Sequence, residues 1–288
     1  METTQTDDKA GAALNAQRFQ MLKDIAQELQ GDVTFPTCFD VAVRLRRTLN
    51  DPNVSLDQVA TLVSAEPLIS SKLLRLANSV IYNPRDRTRD LTAAINRLGL
   101  QTVRSAAMAV AMKQILLSKD MVCFDELMTA LWDHSLRSAA AAQVLARNLT
   151  RINPGEALLA GLIHDLGAFY MLYRASQYDE LRRRPDTVRY LIIQWHESIG
   201  ESLFNALGMD ESIITAVRDH DQPRPVPPTP RNLSDIVYVS NIMAGGLFEW
   251  GHIKPEDAAA RRDSLDEAYL ALQPEIEAHT EEIRAAFV

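Results

Sequence analysis

Hydrophobic residues along this chain recur at helical spacing, and the alternation of apolar and polar residues that marks a strand is almost absent. Ala, Leu, Gln, Glu and Arg, which favour helices, dominate the sequence. Signals of helix ends are frequent. Ser55 and Gln58 form a capping-box pattern, Pro67 can occupy a first helical position, and Asp90 and Gly99 bracket a short helical segment. We therefore expect an all-α fold.

The same pattern predicts where the later helices lie and where the chain is not helical. Asn153 and Pro154 open a helix that carries a His-Asp pair. The segment 221–230 holds five of the 13 prolines, so we expect a stiff surface connection there rather than a recognition segment. Further helices are predicted at residues 102–117, 125–149, 187–207, 211–219, 233–250, 255–272 and 275–287.

The stretch 157–173, ALLAGLIHDLGAFYMLY, is apolar except for His164 and Asp165. Such a run is normally core, and an aspartate in a core is costly unless a cation, a metal ion or several donors hold it. The pair therefore needs a partner from elsewhere in the chain. His134 is the best candidate, because it belongs to an inward-facing helical series. That series is Leu127, Leu131, His134, Ser138, Ala141 and Leu145.

Metal binding is one of two interpretations of this constellation. Adjacent residues of a helix point about 100° apart, so His164 and Asp165 can share an ion only at the helix edge, with a third ligand such as His134. Neutral imidazole and carboxylate suit Mn, Fe, Zn or Ni ions. A bare His-Asp dipeptide is a weak signal, and it occurs again at His220. Histidines that are hydrogen-bonded within the core are the alternative interpretation.

The remaining histidines differ in their surroundings. His196 stands beside Glu197, and His220 stands beside Asp221, so both could join a polar cluster. His252 and His279 lie in polar stretches of sequence. We expect exposed positions for these two and assign them no function.

Composition restricts the class of protein. The formal charge of the 288 residues is −8, from 30 basic and 38 acidic side chains, which argues against non-specific nucleic-acid binding as the main function. Cys38 and Cys123 are far apart and outside any CxxC spacing, so we expect small core residues and a cytoplasmic protein. The polar, acidic N-terminus is not a signal peptide, and no apolar run is long enough to span a membrane.

Clusters of arginine raise nucleic-acid binding as a further alternative. Solvated helix faces are the favoured interpretation, because the chain is acidic and no aromatic residues are interleaved with the arginines. The clusters are Arg44, Arg46 and Arg47; Arg85, Arg87 and Arg89; and Arg182–Arg184.

Several motifs resemble the HDOD domain, a regulatory relative of the HD-type metal-dependent phosphohydrolases. LLRLANS and AINRLG resemble its N-terminal half, and LWDHSLRSAAAAQVLA, AGLIHDLG and WHESIGESLF resemble its HD-like half. The similarity runs from Phe35 to Pro223, about two thirds of the chain. It implies an N-terminal helical bundle, residues 14–118, packed on an HD-like helical bundle, residues 119–288. We expect residues 1–13 to be disordered.

The resemblance also implies a metal site in the HD-like half. Three ligands common to the HD superfamily align with His134, His164 and Asp165, and its fourth ligand aligns with Asn241. Two histidines of two-metal relatives align with His196 and His220. Such a set would hold one divalent ion, Mn, Fe, Zn or Ni.

The chain departs from the catalytic relatives at three positions. Asn241 stands where the superfamily has an aspartate, which removes a negative charge from a cation site. Asp221 replaces the second histidine of a His-His pair, and Ala168 replaces a lysine of the active cyclic-di-GMP phosphodiesterase branch, HD-GYP. Hydrolysis needs an activated water and an electrostatic clamp on the transferred group. These departures therefore favour a catalytically degenerate pseudoenzyme.

HDOD domains are usually regarded as non-catalytic modules of bacterial signalling, often fused to enzyme or receiver domains. We recognise no such domain in this sequence, so we expect a cytoplasmic signal-transduction module that binds a protein partner in trans or a small ligand. We expect neither a membrane nor a nucleic acid as its partner. The alternative is a metal-dependent phosphohydrolase that acts on a nucleotide or a cyclic dinucleotide. The effect of Asn241→Asp on metal affinity would separate the two functions.

Overall fold

The computed structural model describes residues 12–29, 45, 48, 51, 53–80, 82, 86–116, 119–245 and 265–287. Within these ranges the chain is helical and forms no strand, which confirms the all-α prediction. No helix among the described residues is long and apolar enough to cross a membrane. Some predictions lie outside the described residues, namely those for residues 1–11, Cys38, Arg44, Arg46, Arg47, Arg85 and His252.

The helices before residue 125 have ends that local chemistry explains. Gln58 N–H donates to Ser55 Oγ at 3.2 Å, and Ser55 N–H donates to Gln58 Oε1 at 2.8 Å, so the predicted capping box is confirmed. Asp90 caps the fourth helix through the N–H of Ala93, and Gly99 ends it with φ 75°. The elements are α1 (Ala12–Leu29), α2 (Leu56–Ser64), α3 (Pro67–Ala77), α4 (Leu91–Leu98), α5 (Leu100–Leu116) and a 3-10 helix (Lys119–Phe124).

The later helices follow the predicted order. They are α6 (Asp125–Leu149), α7 (Pro154–Ile163), α8 (Leu166–Ala175), α9 (Asp179–Arg182), α10 (Pro185–Ala206), α11 (Glu211–Arg218), α12 (Leu233–Met243), α13 (Glu267–Leu270) and α14 (Gln273–Phe287). The limits of α6 agree with the prediction, and segment 221–230 is non-helical as expected. Helix α12 ends earlier than predicted, because Gly245 adopts φ 121° beyond its last turn. The predicted helix 255–272 is described only from residue 265, where α13 lies.

The long helix α6 is the centre of the HD-like part of the fold. Helices α7, α12 and α14 pack against it, and α8 contacts both α6 and α10. Helix α5 packs on α7, and α14 packs on α3, so the hydrophobic core is continuous across residue 118. The division into two halves at this point stays a prediction.

Helix α1 packs on the HD-like part of the fold, against α8, α9 and α10. Leu14, Met21 and Ile25 bury their side chains in this contact. Glu28 accepts hydrogen bonds of 2.6 Å from the Tyr170 hydroxyl and from the Arg174 guanidinium. The first described helix therefore covers a surface built by residues about 150 positions later.

The prediction that His279 is exposed is wrong. Its side chain is 1% exposed on α14, where Nε2 is hydrogen-bonded to Gln143 Oε1 of α6. The Gln143 amide in turn donates to the Tyr82 hydroxyl at 2.9 Å. The polar sequence around His279 belongs to the solvent face of an amphipathic helix, and the histidine falls on the opposite face. Burial lowers the pKa of His279 to about 4.

Candidate metal centre

His134 lies on the face of α6 that the fold buries. The predicted inward-facing series from Leu127 to Leu145 is buried throughout, and His134 itself is 2% exposed. Ser138 follows one turn later with no exposure. Because the side chains beside and below His134 are small, another helix can approach this face closely.

His164 and Asp165 lie in a turn between two helices, not within one helix as predicted. Helix α7 ends at Ile163 and α8 begins at Leu166. Asp165 has φ −96° and ψ 17°, in the sparsely populated region where many active-site residues lie. The two side chains are 2% and 1% exposed. The break in the helix lets both of them enter one buried cluster.

Gly161 brings α7 into backbone contact with α6. A Cβ atom at this position would lie 2.7 Å from Ser138 O and 2.9 Å from Ala142 Cβ. Only glycine permits this separation, because any side chain would push the two helices apart. The close approach places the end of α7, and therefore His164, beside His134.

Gly167 likewise permits close backbone contact between α8 and α10. A Cβ atom here would lie 2.1 Å from the carbonyl oxygen of His196 and 2.7 Å from the nitrogen of Gly200. Asp165 precedes this contact by two residues. The glycine therefore brings Asp165 within reach of His196, which is 3% exposed.

Three donor atoms form a first trio: Nε2 of His134, Nε2 of His164 and Oδ2 of Asp165. The two nitrogens are 3.1 Å apart, and the oxygen lies 3.4 Å from His164 and 3.8 Å from His134. A point equidistant from these atoms lies about 2.0 Å from each, and bonds of Zn to N and O ligands are ~2.0–2.2 Å. The donor chemistry and the spacing therefore fit a divalent ion.

A second trio uses the other oxygen of Asp165. Its Oδ1 lies 3.2 Å from Nε2 of His220 and 3.6 Å from Nε2 of His196. These three residues also form a buried group whose donor atoms could hold a metal ion. Asp165 thus presents one carboxylate oxygen to each trio.

Backbone carbonyls orient three of the histidines. In each ring Nδ1 is hydrogen-bonded to a carbonyl three or four residues earlier, so Nδ1 carries the proton and Nε2 faces the cluster. The distances are 2.7 Å from His164 to Gly161, 2.8 Å from His196 to Ile192 and 2.8 Å from His220 to Val217. Histidines that bind metals are commonly oriented in this way.

Asn241 of α12 contacts the cluster through Asp221. The Asn241 amide donates to Asp221 Oδ1 at 2.9 Å and to the carbonyl of His220 at 3.3 Å. Asp221 Oδ2 in turn lies 3.2 Å from Nε2 of His196. Asp221, which is 9% exposed, therefore supplies a second carboxylate beside the second trio. In the sequence, Asp221 was notable only as a departure from the relatives, although the repeated His-Asp dipeptide was a signal that could have included it in the cluster.

Charges are balanced within the cluster. Burial lowers the pKa of His164 to about 3, so this imidazole is neutral. Burial opposes protonation of His220 too, but the charge of Asp221 and the hydrogen bond to Asp165 outweigh it and raise its pKa to about 10. Burial likewise opposes protonation of His196, yet its hydrogen bond to Asp221 and the charge of that carboxylate raise its pKa. Although burial favours their neutral forms, neighbouring imidazoles hold the pKa of Asp221 at about 2 and that of Asp165 well below its ordinary value.

The structure brings together every residue that the sequence analysis named for the metal site. They are His134, His164, Asp165, Asn241, His196 and His220. Ala168 is fully buried on α8 and contributes no polar atom to a site. That these residues bind a metal stays a prediction.

The sequence profile of the HDOD domain matches residues 35–223, well over half of the chain. The chain therefore belongs to the HDOD family. It is also 26% identical over 192 residues to an uncharacterised protein of Treponema pallidum (strain Nichols). That match covers 62% of this chain and 36% of the relative, so this chain spans little more than a third of the relative's length.

Solved structures share the fold. A candidate metal-dependent phosphohydrolase from Shewanella amazonensis SB2B aligns with a TM-score of 0.70 and 22% identity, over 95% of this chain and 100% of that one. A candidate signal transduction protein from Marinobacter aquaeolei VT8 aligns with a TM-score of 0.58 and 19% identity, over 95% of this chain and 65% of that one. At these identities the similarity concerns the fold.

Proposed function

We propose that this protein is a catalytically degenerate signal-transduction module of a bacterial cytoplasm, which acts by binding a protein partner in trans or a small ligand. In this proposal the His-Asp cluster holds one divalent ion, Mn, Fe, Zn or Ni, and does not hydrolyse phosphate esters. Two cysteines without disulfide spacing favour the cytoplasm. The observation that carries the proposal is the burial of the cluster.

Burial separates the donor atoms from any substrate. His134, His164, Asp165, His196 and His220 are each 1–3% exposed. A phosphohydrolase must bring a phosphate beside water that a metal has activated. Such small exposure counts against direct contact between a nucleotide and these atoms.

The residues of the cluster also lack a phosphate clamp. Its described members are histidines, aspartates and Asn241, without a lysine or an arginine. The Asn241 amide is engaged with Asp221, and Ala168 is a buried methyl group. Positioned cations on the transferred group supply much of the catalysis of phosphoryl transfer.

The first trio is the better place for an ion. His134 belongs to α6, whereas His164 and Asp165 belong to the turn between α7 and α8. A bound ion would supply positive charge beside Asp165 and would cross-link two elements that already pack together. The backbone bond of His164 Nδ1 keeps its Nε2 directed at this position.

A metal-dependent phosphohydrolase acting on a nucleotide or a cyclic dinucleotide is the second candidate. It is favoured by one observation, that Asp165 presents an oxygen to each of two trios, as a carboxylate that bridges two ions would. The Shewanella protein described above as a candidate metal-dependent phosphohydrolase has the same fold. Asn241, Asp221 and Ala168 count against this candidate.

Metal content and hydrolysis, measured on the same preparations, test the proposal. The protein and His164→Ala are loaded with Mn, Fe or Zn, dialysed and examined by elemental analysis, with circular dichroism as the check of folding. We expect about one ion per chain in the native protein, loss of that ion in the variant, and no turnover of a generic phosphodiester or a cyclic dinucleotide. Turnover that disappears in His164→Ala would establish the phosphohydrolase instead. Absence of metal at saturation would overturn the ion site.

A further inference from the structure

An open cleft on the N-terminal side of the fold is lined by three arginines. It measures about 470 Å³ and lies between the end of α3 and the segment that precedes α4. Its lining residues, which we call the arginine cleft, are Leu74, Arg75, Asn78, Arg87, Thr88 and Arg89. None of them belongs to the His-Asp cluster.

Hydrogen bonds hold the walls of the arginine cleft in place. The Asn78 side chain donates to the carbonyl of Thr88 at 2.8 Å and accepts from its N–H at 2.7 Å. Arg97 of α4 donates to the carbonyls of Ala77 and Asp86, at 3.1 and 3.2 Å. Arg87 and Arg89 flank the residue that Asn78 clamps, so their backbones are positioned before any ligand arrives.

The guanidinium groups of Arg87 and Arg89 make no hydrogen bond or ion pair in the part of the chain that the structure describes. Elsewhere the arginines are commonly paired, for example Arg174 with Glu28 at 2.6 Å and Arg218 with Glu201 at 2.8 Å. Arg87 and Arg89 are exposed, and neither has a carboxylate partner among the described residues.

Charges around the arginine cleft favour an anion. On α3, burial lowers the pKa of Lys72, and the positive charges of Arg75 and Lys113 lower it further. The opposing carboxylates are Asp86 and Asp90, and the Asp90 carboxylate accepts a hydrogen bond from the N–H of Ala93 at the start of α4. The described lining of the cleft contains three arginines and no carboxylate.

We propose that the arginine cleft binds the phosphate of a small phosphorylated ligand of nucleotide size. Arginine is always charged, and its planar fork matches phosphate oxygens in pairs. A volume of about 470 Å³ lies within the range of small-molecule sites. This gives the module a ligand site that is separate from the metal centre.

A nucleic acid is a poorer fit than a small ligand. The net charge of −8 opposes a long polyanion. In the separate arginine cluster at 182–184, Arg182 pairs with Asp179 at 3.7 Å and Arg184 pairs with Glu180, so two of its three arginines are engaged locally.

Pyrophosphate and AMP are suitable probes, titrated by calorimetry into the full chain after removal of divalent metals. The test variant is Arg87→Gln/Arg89→Gln. The matched control is Arg151→Gln/Arg183→Gln, which removes the same charge at two arginines that are exposed and lie outside the cleft. We expect saturable binding by the native protein, a Kd at least about tenfold higher in the test variant, and an unchanged Kd in the control.

Three results would overturn the proposal. The first is no saturable binding of either probe at low ionic strength. The second is an equal change of Kd in both double variants, which would show a general effect of charge. The third is tighter binding of a single-stranded oligonucleotide than of AMP with equal loss in both variants, which would indicate a nucleic-acid surface.

Discussion

The dipeptide His-Asp occurs twice in this chain, and the two copies have different surroundings. His164-Asp165 lies in a turn between two helices. Two of its donor atoms belong to the first trio, and the third, Oδ1 of Asp165, belongs to the second. His220-Asp221 follows α11, and Asp221 is the first residue of the non-helical segment 221–230. In this second copy His220 belongs to the second trio, whereas Asp221 lies beside the trio and accepts a hydrogen bond from the Asn241 amide.

Neighbouring backbones and charges, not the dipeptide, explain the difference. The first copy is flanked by Gly161 and Gly167, each of which permits backbone contact with another helix. Its imidazole has a pKa lowered to about 3 by burial, whereas two carboxylates raise the pKa of His220 to about 10. The histidines of two identical dipeptides can therefore differ in protonation, so a dipeptide motif cannot assign chemistry by itself.

The largest effect is expected from Gly167→Ala, which disrupts the contact between α8 and α10 beside the first dipeptide. The new Cβ atom would lie 2.1 Å from the carbonyl oxygen of His196, so α8 and α10 would have to separate. We expect the free energy of unfolding to fall by about 3 kcal/mol or more, because backbone atoms cannot move aside as side chains do. Denaturant-induced unfolding measures this change.

Gly200→Ala is the matched control on the other side of the same contact. Its Cβ atom would meet its neighbours at 3.6–3.8 Å, an ordinary packing distance. We expect the free energy of unfolding to change by less than about 1 kcal/mol, since alanine is the better helix former. Equal destabilisation by the two substitutions would contradict the steric explanation.

The two dipeptides should differ in their effect on metal affinity. We expect His164→Ala to weaken binding at least about 100-fold and His220→Ala to weaken it no more than about tenfold, because only His164 belongs to the first trio. Competition with a chromogenic chelator measures both affinities. Equal losses would indicate that the ion lies between the trios, on Asp165.

Asn241→Asp sharpens the comparison at the second dipeptide. The new carboxylate would replace an amide that lies 2.9 Å from Asp221, so two negative charges would meet in a buried place. We expect the metal-free protein to lose about 2 kcal/mol of stability at pH 7, and to regain it as pH falls and the new carboxyl is protonated. Thermal or denaturant unfolding at several pH values measures this change of stability with pH.

Asn205→Asp makes the same chemical change on the exposed face of α10 and serves as the control. Its effect should stay within about 0.5 kcal/mol. Metal affinity of Asn241→Asp gives a second measurement. If the substitution created metal binding that the native protein lacks, the native site would be disabled and the proposed ion would be wrong.

The smallest effect concerns His279, a buried histidine that has no carboxylate in hydrogen-bond contact among the described residues. Its pKa falls from about 6.5 to about 4 on folding, so between these values the unfolded chain binds a proton that the folded protein does not. Its contribution is therefore full above pH 6.5 and is lost as pH falls toward 4. At pH 5 we expect a loss of about 1–2 kcal/mol relative to pH 7.

His279→Gln is the comparison that isolates this effect, because glutamine keeps a donor for Gln143 but does not titrate. Its stability should depend less on pH between 7 and 5 than that of the native protein. Parallel stability curves for the two proteins would show that His279 is not responsible.

Local chemistry in the sequence determined most of the helical pattern. The capping box at Ser55 and the limits of α6 could be predicted, because an N-cap and hydrophobic spacing act within a few residues. The apolar run around His164 also identified the buried pair, and the spacing on α6 identified His134 as a neighbour. These predictions needed only the cost of burying a charge and the period of a helix.

Tertiary structure alone decided the rest. The chain breaks its helix at His164, brings Asp221 against His196, buries His279 and forms the arginine cleft between α3 and the segment before α4. The first three features depend on contacts between residues that are far apart in sequence, and the cleft depends on the packing of α4 against α3. The sequence determined which side chains had to avoid water, but the packing of distant helices determined which of them meet.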